Sequence, residues 1–345
     1  MIADTVAAVT VLVATAYAAL AGADFGGGIW DLLAGGARRG AQPRERIGQS
    51  VTPVWEANHV WLIIVLVLLW TGFPVAFGMI FTTLFVPLSV AALGIVVRGS
   101  GFAFRAQVRG AGWQSVTGGA FAVASVATPF FLGTVIGSVV TGRVRAAAGD
   151  PVASWVNLTS LLTGALFVAT SAYLAAVYLA VDSEHAGQQR LRRYFTRRAI
   201  VAAAGTGVLA AITMAVLRGS APAVFTALTT GRALPLVVVS VLAGLAVLAL
   251  LAADLVTLVR PLAAVAVAAV VFGWAVAQYP YLLPPRLTVG QAAAPAATMG
   301  TALLVVGIIV VLVAPSFALL FSLARRGRLG EAEATSARAL RRRDR

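Results

Sequence analysis

The sequence predicts an all-α polytopic membrane protein with nine transmembrane helices, its N-terminus outside and its C-terminus cytoplasmic. Three observations carry that prediction. The 345 residues are 60% hydrophobic and only 11% charged, with a mean hydropathy of +0.93, whereas soluble domains carry about 25% charged residues. The apolar residues fall into runs near the roughly 20 residues that a helix needs to cross the hydrocarbon core. The 26 basic residues are all arginine, and they cluster between those runs.

Taken in order, the predicted spans are 6–33, 54–73, 74–97, 113–140, 154–181, 199–217, 233–259, 261–278 and 297–323. Residues 1–323 thus form one membrane domain. The first 22 residues hold no arginine and run straight into an Asp-Gly segment, so they read as a retained span and not as a removed signal peptide. Pro53 suits the first turn of the second span, where its missing N–H would be unsatisfied anyway. Connections such as Thr71–Pro74 and Arg260–Pro261 are short, which makes sequence neighbours pack antiparallel. Glycines inside the spans, among them Gly118, Gly119, Gly133 and Gly137, permit the close helix contact that lipid does not otherwise drive. Four plus four helices with one left over suit two four-helix bundles, 1–140 and 154–278, and a peripheral ninth helix at 297–323. No convincing internal repeat relates the halves. Residues 324–345 read as a basic cytoplasmic tail lying at an anionic membrane surface.

The arginines set the orientation. With the N-terminus outside, 21 of the 26 fall in inner loops or the tail, including Arg38, Arg39, Arg98, Arg105, the group from Arg190 to Arg198, and Arg260. That asymmetry is the positive-inside rule, and it removes the need for nucleic acid as an explanation of a pI near 11.6.

The most informative stretch is TPVWEANHVWLIIVLVLLWTGF, Thr52–Phe73. Its apolar run is preceded, within one helical unit, by Glu56, Asn58 and His59. At about 100° per residue Glu56 and His59 lie side by side. Ionisable groups at the end of a spanning helix are costly unless they face protein or water, and by default they mark a route for ions, protons or substrate. GADFGGGIWDLLAGG places Asp24, Gly27, Gly28 and Asp31 along one side of the first helix. Its glycine triplet costs about 1 kcal/mol per residue relative to alanine but lets another backbone approach. A cluster of Asp24, Glu56 and His59 opening to the cytoplasm follows, and two readings of it stand: proton uptake, or hydrogen bonding that locks helices together.

Other polar residues read more simply. Asp254 snorkels or caps near the inner surface; Asp182, Glu184 and His185 open a solvated loop. GWAVAQYPYLLPP, Gly273–Pro285, reads as a rigid outer cap with interfacial aromatics. With no cysteine, two histidines in different regions and no phosphate-binding loop, the chain shows no disulfide, no metal centre and no catalytic centre of its own.

ADFGGGIWDLL, TPVWEANHVWLI and GWAVAQYPYLLPP, in this order in a nine-span chain, resemble subunit II of the bacterial cytochrome bd-type quinol oxidases. The resemblance covers essentially the whole chain, and the second motif is the most specific. It implies a haem-free subunit in the cell membrane, built as two four-helix bundles plus one helix. Its partner would be a subunit I that carries the b-type and d-type haems and oxidises quinol. It also implies a cytoplasmic proton-entry path through Asp24 and Glu56, with His59 and Asn58 holding or extending it. Many members have Asp where Glu56 stands, and position 59 varies between Gln and His. A quinone or lipid can occupy this subunit in some members, and small single-span subunits can join. The rival reading is a proton-coupled secondary transporter, which expects inverted repeats and helices broken near mid-membrane.

Overall fold

A computed structural model describes residues 1–36, 39–51, 55–105, 111–145 and 150–325; the side chains of 51–57, 102–117 and part of 313–325 lie outside that description. The expected tail, 324–345, falls almost wholly outside it.

The chain folds as helices. In order they are α1 (Ile2–Leu32), α2 (Ala41–Val51), α3 (Trp55–Gly72), α4 (Pro74–Thr83), α5 (Phe85–Arg105), α6 (Ala111–Val140), α7 (Leu158–His185) and α8 (Gln189–Ser220). Then come α9 (Pro222–Thr229), α10 (Leu234–Ala252), α11 (Val259–Gln278), a two-stranded hairpin of β1 (Tyr281–Leu283) and β2 (Leu287–Thr288), α12 (Val289–Ala292) and α13 (Ala296–Arg325). Two compact units result, Met1–Ala294 and Pro295–Arg345, the second described as the single helix α13.

Among the described residues six helices are long and apolar enough to cross a membrane: α1, Gly118–Val140 of α6, α7, α8, α10 and α11. A seventh arises if Asn58–Gly72 and Pro74–Thr83, bent by 116° at Phe73, count as one span. Phe85–Gly101 and Ala296–Leu312 are apolar but shorter. Three sequence expectations are corrected here. The third span, 74–97, is not one helix; it breaks at Leu84, and the second piece continues to Arg105 because the apolar Gly101–Phe104 stretch follows Arg98. The arginines from Arg190 to Arg198 lie in the first turns of α8 and not in a loop. The seventh span stops at Ala252, where Asp254, with φ 60°, turns the chain into α11.

Packing within the first unit follows small residues. α1 and α3 run antiparallel, Asn58 meeting Asp24 near one end and Gly72 meeting Val6 near the other. α6 and α7 cross where a Cβ on Gly133 would stand 2.7 Å from the Gly164 Cα, and Ser138 and Ser160 share a hydrogen bond of 3.1 Å. The main core gathers around the Tyr173–Val181 stretch of α7. Phe195 of α8, Val247 of α10 and Val259 of α11 close over it. Leucines and valines of α10 face outward, such as Val241, Leu242 and Leu245, as a lipid-facing helix requires. In the α6–α7 connection Asp150 Oδ1 accepts from the N–H groups of Val152 (2.8 Å) and Ala153 (2.9 Å), which holds its carboxyl below the ordinary range. A depressed folded value means that this contribution is present above the unfolded value and is lost as pH falls through the folded one.

Candidate functional site

α1 and α3 build the site. Glycines 26–28 let α1 sit close to its neighbours, and Asp24 lies two residues before them, 3% exposed. Asn58, also 3% exposed, donates its Nδ2–H to Asp24 Oδ2. The amide therefore ties the start of α3 to the carboxylate of α1. His59 stands next to Asn58 on α3, its ring edge-on to Phe25 (6.3 Å between centroids) and Tyr17 (6.5 Å) of α1. Asp24, Asn58 and His59 are thus brought together as the sequence suggests. Glu56 belongs to the same helix, but its side chain lies outside the described residues.

Arg98 joins this site, although its place at the end of an apolar run predicts an inner loop. It is inside α5 and 2% exposed. Its guanidinium lies 4.9 Å from the Phe25 ring centroid and 5.4 Å from that of Phe121 on α6. It interacts electrostatically with Asp24 and Tyr17, while its Nε and Nη2 have no hydrogen-bond partner among the described residues. A buried guanidinium needs an opposite charge, and two aromatic faces contribute only part of what water would give it. The signal in the sequence was Arg98 followed by another apolar stretch, GSGFAF, where a loop would have been polar. The centre of the site is therefore a carboxylate and a guanidinium held in an apolar surround, with an amide, an imidazole and a phenol beside them.

The other expected residues go elsewhere. Asp31 pairs with Arg44 of α2 (3.3 Å), at a position separate from the Asp24 pair. Asp182 pairs with Arg260 (2.9 Å). Glu184 pairs with Arg192 (3.0 Å), and Arg192 also binds the Asp254 backbone oxygen (3.2 Å) and carboxylate. These ties hold the α10–α11 turn against α7 and α8. Asp254 is thus neither a snorkelling group nor a simple cap: it joins two elements from a left-handed backbone. Asp254→Val should lower the melting temperature of the purified protein, because a β-branched residue at this φ costs about 1–2 kcal/mol and the ion pair is lost as well. Asp254→Asn, which tolerates the conformation, should cost clearly less.

His59 stands between the rings of Tyr17 and Phe25, and His185 ends α7 exposed to solvent. Among the described residues no group of three or more potential metal ligands occurs.

Comparison with known proteins shows the family of the chain. The model of the family "Cytochrome bd terminal oxidase subunit II" matches residues 2–324. The chain belongs to that family. As a subunit II it is a multi-pass protein of the cytoplasmic membrane and part of an oxidoreductase complex. Subunit 2 of the cytochrome bd ubiquinol oxidase of Bacillus subtilis (strain 168) is 26% identical over 148 residues, 42% of this chain and 43% of that protein. The aligned stretch is thus less than half of that relative. A chain in the structure of bd oxidase from Geobacillus thermodenitrificans superimposes with a TM-score of 0.78 at 24% identity, covering 93% of this subunit II and 98% of that chain, which shows a shared fold.

Proposed function

We propose that this subunit II is the haem-free half of a quinol:oxygen oxidoreductase, supporting a haem-bearing subunit I and giving protons a cytoplasmic route towards it. The b-type and d-type haems of subunit I would reduce oxygen to water with electrons from quinol. This chain's part is to hold and move protons, and the burial of Asp24 against Asn58 is the observation that carries the reading. A carboxyl group inside a membrane helix is retained at a cost, and it faces protein when it has a task there. Asn58 orients that carboxylate by donating to its Oδ2. Glu56 precedes Asn58 on the same helix and is the entry group in this proposal, with His59 beside it. Nine spans in two bundles of four plus α13, N-terminus outside, fit the family and the arginine asymmetry, and they put this end of α3 at the cytoplasmic face. A quinone or lipid bound in this chain and small single-span partners remain compatible additions.

The transporter reading looked for helices broken near mid-membrane. Among the described residues the helices break at Phe73–Pro74, after an 18-residue helix, and at Leu84, between two apolar helices; family membership favours the oxidase. Glu56→Gln tests the proposal: the complex should assemble with normal haem content and consume oxygen several-fold more slowly. An assembled variant that respires at the unmodified rate removes Glu56 from the path. A preparation with no coloured partner chain removes the oxidase reading altogether.

A further inference from the structure

Two phenols that this route does not use lie on α7. Tyr173 is 5% exposed, and its Oη has no hydrogen-bond partner among the described residues. Tyr178 Oη donates to the Ala19 backbone oxygen of α1 at 3.4 Å, a long bond. Arg260 lies 4.6 Å from the Tyr178 ring centroid and pairs through Nη2 with Asp182 Oδ1 at 2.9 Å. Arg260 and Asp182 are partly exposed, with side-chain exposures of 38% and 20%. Polar groups thus run from the solvent-touching Asp182–Arg260 pair to Tyr178, whose hydroxyl bonds to α1 at Ala19, five residues before Asp24.

The surroundings make this line informative. Tyr173 and Tyr178 sit in or against the packed core formed by Leu174, Val177 and Val181 of the same helix and their neighbours. A ring alone would fill that space as phenylalanine. A hydroxyl placed there without a partner costs free energy until a water satisfies it, and buried waters take such positions. A phenol both donates and accepts, so it can take a proton on its oxygen as its own proton leaves to the next water, with no net change in the phenol.

We propose that Tyr178 is part of a second, water-filled approach to Asp24, opening at Asp182 and Arg260, with Tyr173 binding one of its waters. The proposal rests on the assignment of Asp24 to proton delivery. It places Asp24 at a junction: Glu56 serves it along α3, and Tyr178 serves it from between α7 and α11.

The test uses the purified complex. Tyr178→Phe keeps the ring under Arg260 and removes only the hydroxyl. It is compared with Glu56→Gln, the double variant and Asp24→Asn, by oxygen consumption normalised to haem content. The two single variants should each keep a residual rate. The double variant should fall to the Asp24→Asn rate, with an increased solvent deuterium isotope effect. A double variant no slower than Glu56→Gln overturns the branch while leaving Asp24 in place. An Asp24→Asn complex with the unmodified rate overturns proton delivery itself, and the branch with it. Hydroxyl-radical footprinting of the unmodified complex needs no variant. Tyr173 and Tyr178 should be labelled despite their burial, as water-contacting core residues are, and unlabelled tyrosines would overturn the proposal.

Discussion

Gly26→Val is expected to abolish accumulation of the folded subunit in the membrane. A Cβ on residue 26 would stand 1.9 Å from the Ser171 backbone oxygen of α7 and 2.6 Å from the Ala175 Cβ. The first of these is backbone inside a helix, so no side-chain rotation relieves it and α1 must move away from α7. Separating the two helices would uncover the side of the main core that Trp30 of α1 covers, and it would stretch the 2.8 Å bond from Trp30 Nε1 to the Ala172 oxygen. In lipid no hydrophobic force pushes the helices back together. Gly28 offers the control. A Cβ there meets the Ser125 side chain, 2.1 Å from Oγ and 2.4 Å from Cβ. Gly28→Ala should therefore destabilise the complex, and Ser125→Gly should restore much of the loss, whereas no single substitution on α7 should rescue Gly26→Val. Haem content of the purified complex and its melting temperature measure both. A Gly26→Val complex that assembles with full haem content would mean that α1 and α7 do not pack this closely.

The glycine triplet shows what a sequence reveals and what it hides. Gly26–Gly28 announces that something approaches α1, because three helix-weakening residues in one turn need a reason; it does not say that the approaching backbone is Ser171, 145 positions away. Asp24 and Asn58 were legible for the same kind of reason, each being a polar residue at the wrong place in an apolar helix. Arg98 was not. A charge at the end of an apolar run looks like a membrane boundary, and the rings of Phe25 and Phe121 that accommodate it are contributed by other helices. The arginines of α8 misled in the same way: a dense basic cluster reads as loop, yet the residues between Arg190 and Arg198 include Leu191 and Phe195, which bury one face, the periodicity of a helix. The turn at Phe73 was legible, because Gly72 and Pro74 interrupt the apolar run there; the break at Leu84 was not, because hydropathy is continuous across it and composition carries no direction.

Asp24→Leu should have the larger consequence for the site itself, and the paired change Asp24→Leu with Arg98→Met separates stability from function. Asp24 and Arg98 are buried in one apolar surround, so removing the carboxylate leaves the guanidinium less compensated; breaking a direct buried ion pair costs about 3–5 kcal/mol, while replacing both charges with apolar groups of similar size is often neutral or stabilising. Arg98 draws its electrostatic partners from Asp24 and Tyr17, and only the first carries a full opposite charge. With residue 24 apolar, the guanidinium keeps, among the described residues, the faces of Phe25 and Phe121, each worth about 2 kcal/mol when desolvated. Asn58 also loses the acceptor of its amide, a further cost of about 1–3 kcal/mol for a buried donor. The single variant should therefore yield little assembled complex. Adding Arg98→Met should recover a good part of the melting temperature and haem content, because it deletes the stranded charge. Oxygen consumption should not recover with it: an apolar 24–98 pair fills the space and offers no group on which a proton can rest. Recovery of both together would make Asp24 a structural residue and return the cluster to the helix-locking role. Recovery of assembly alone would support the proposal that Asp24 holds a proton inside this subunit.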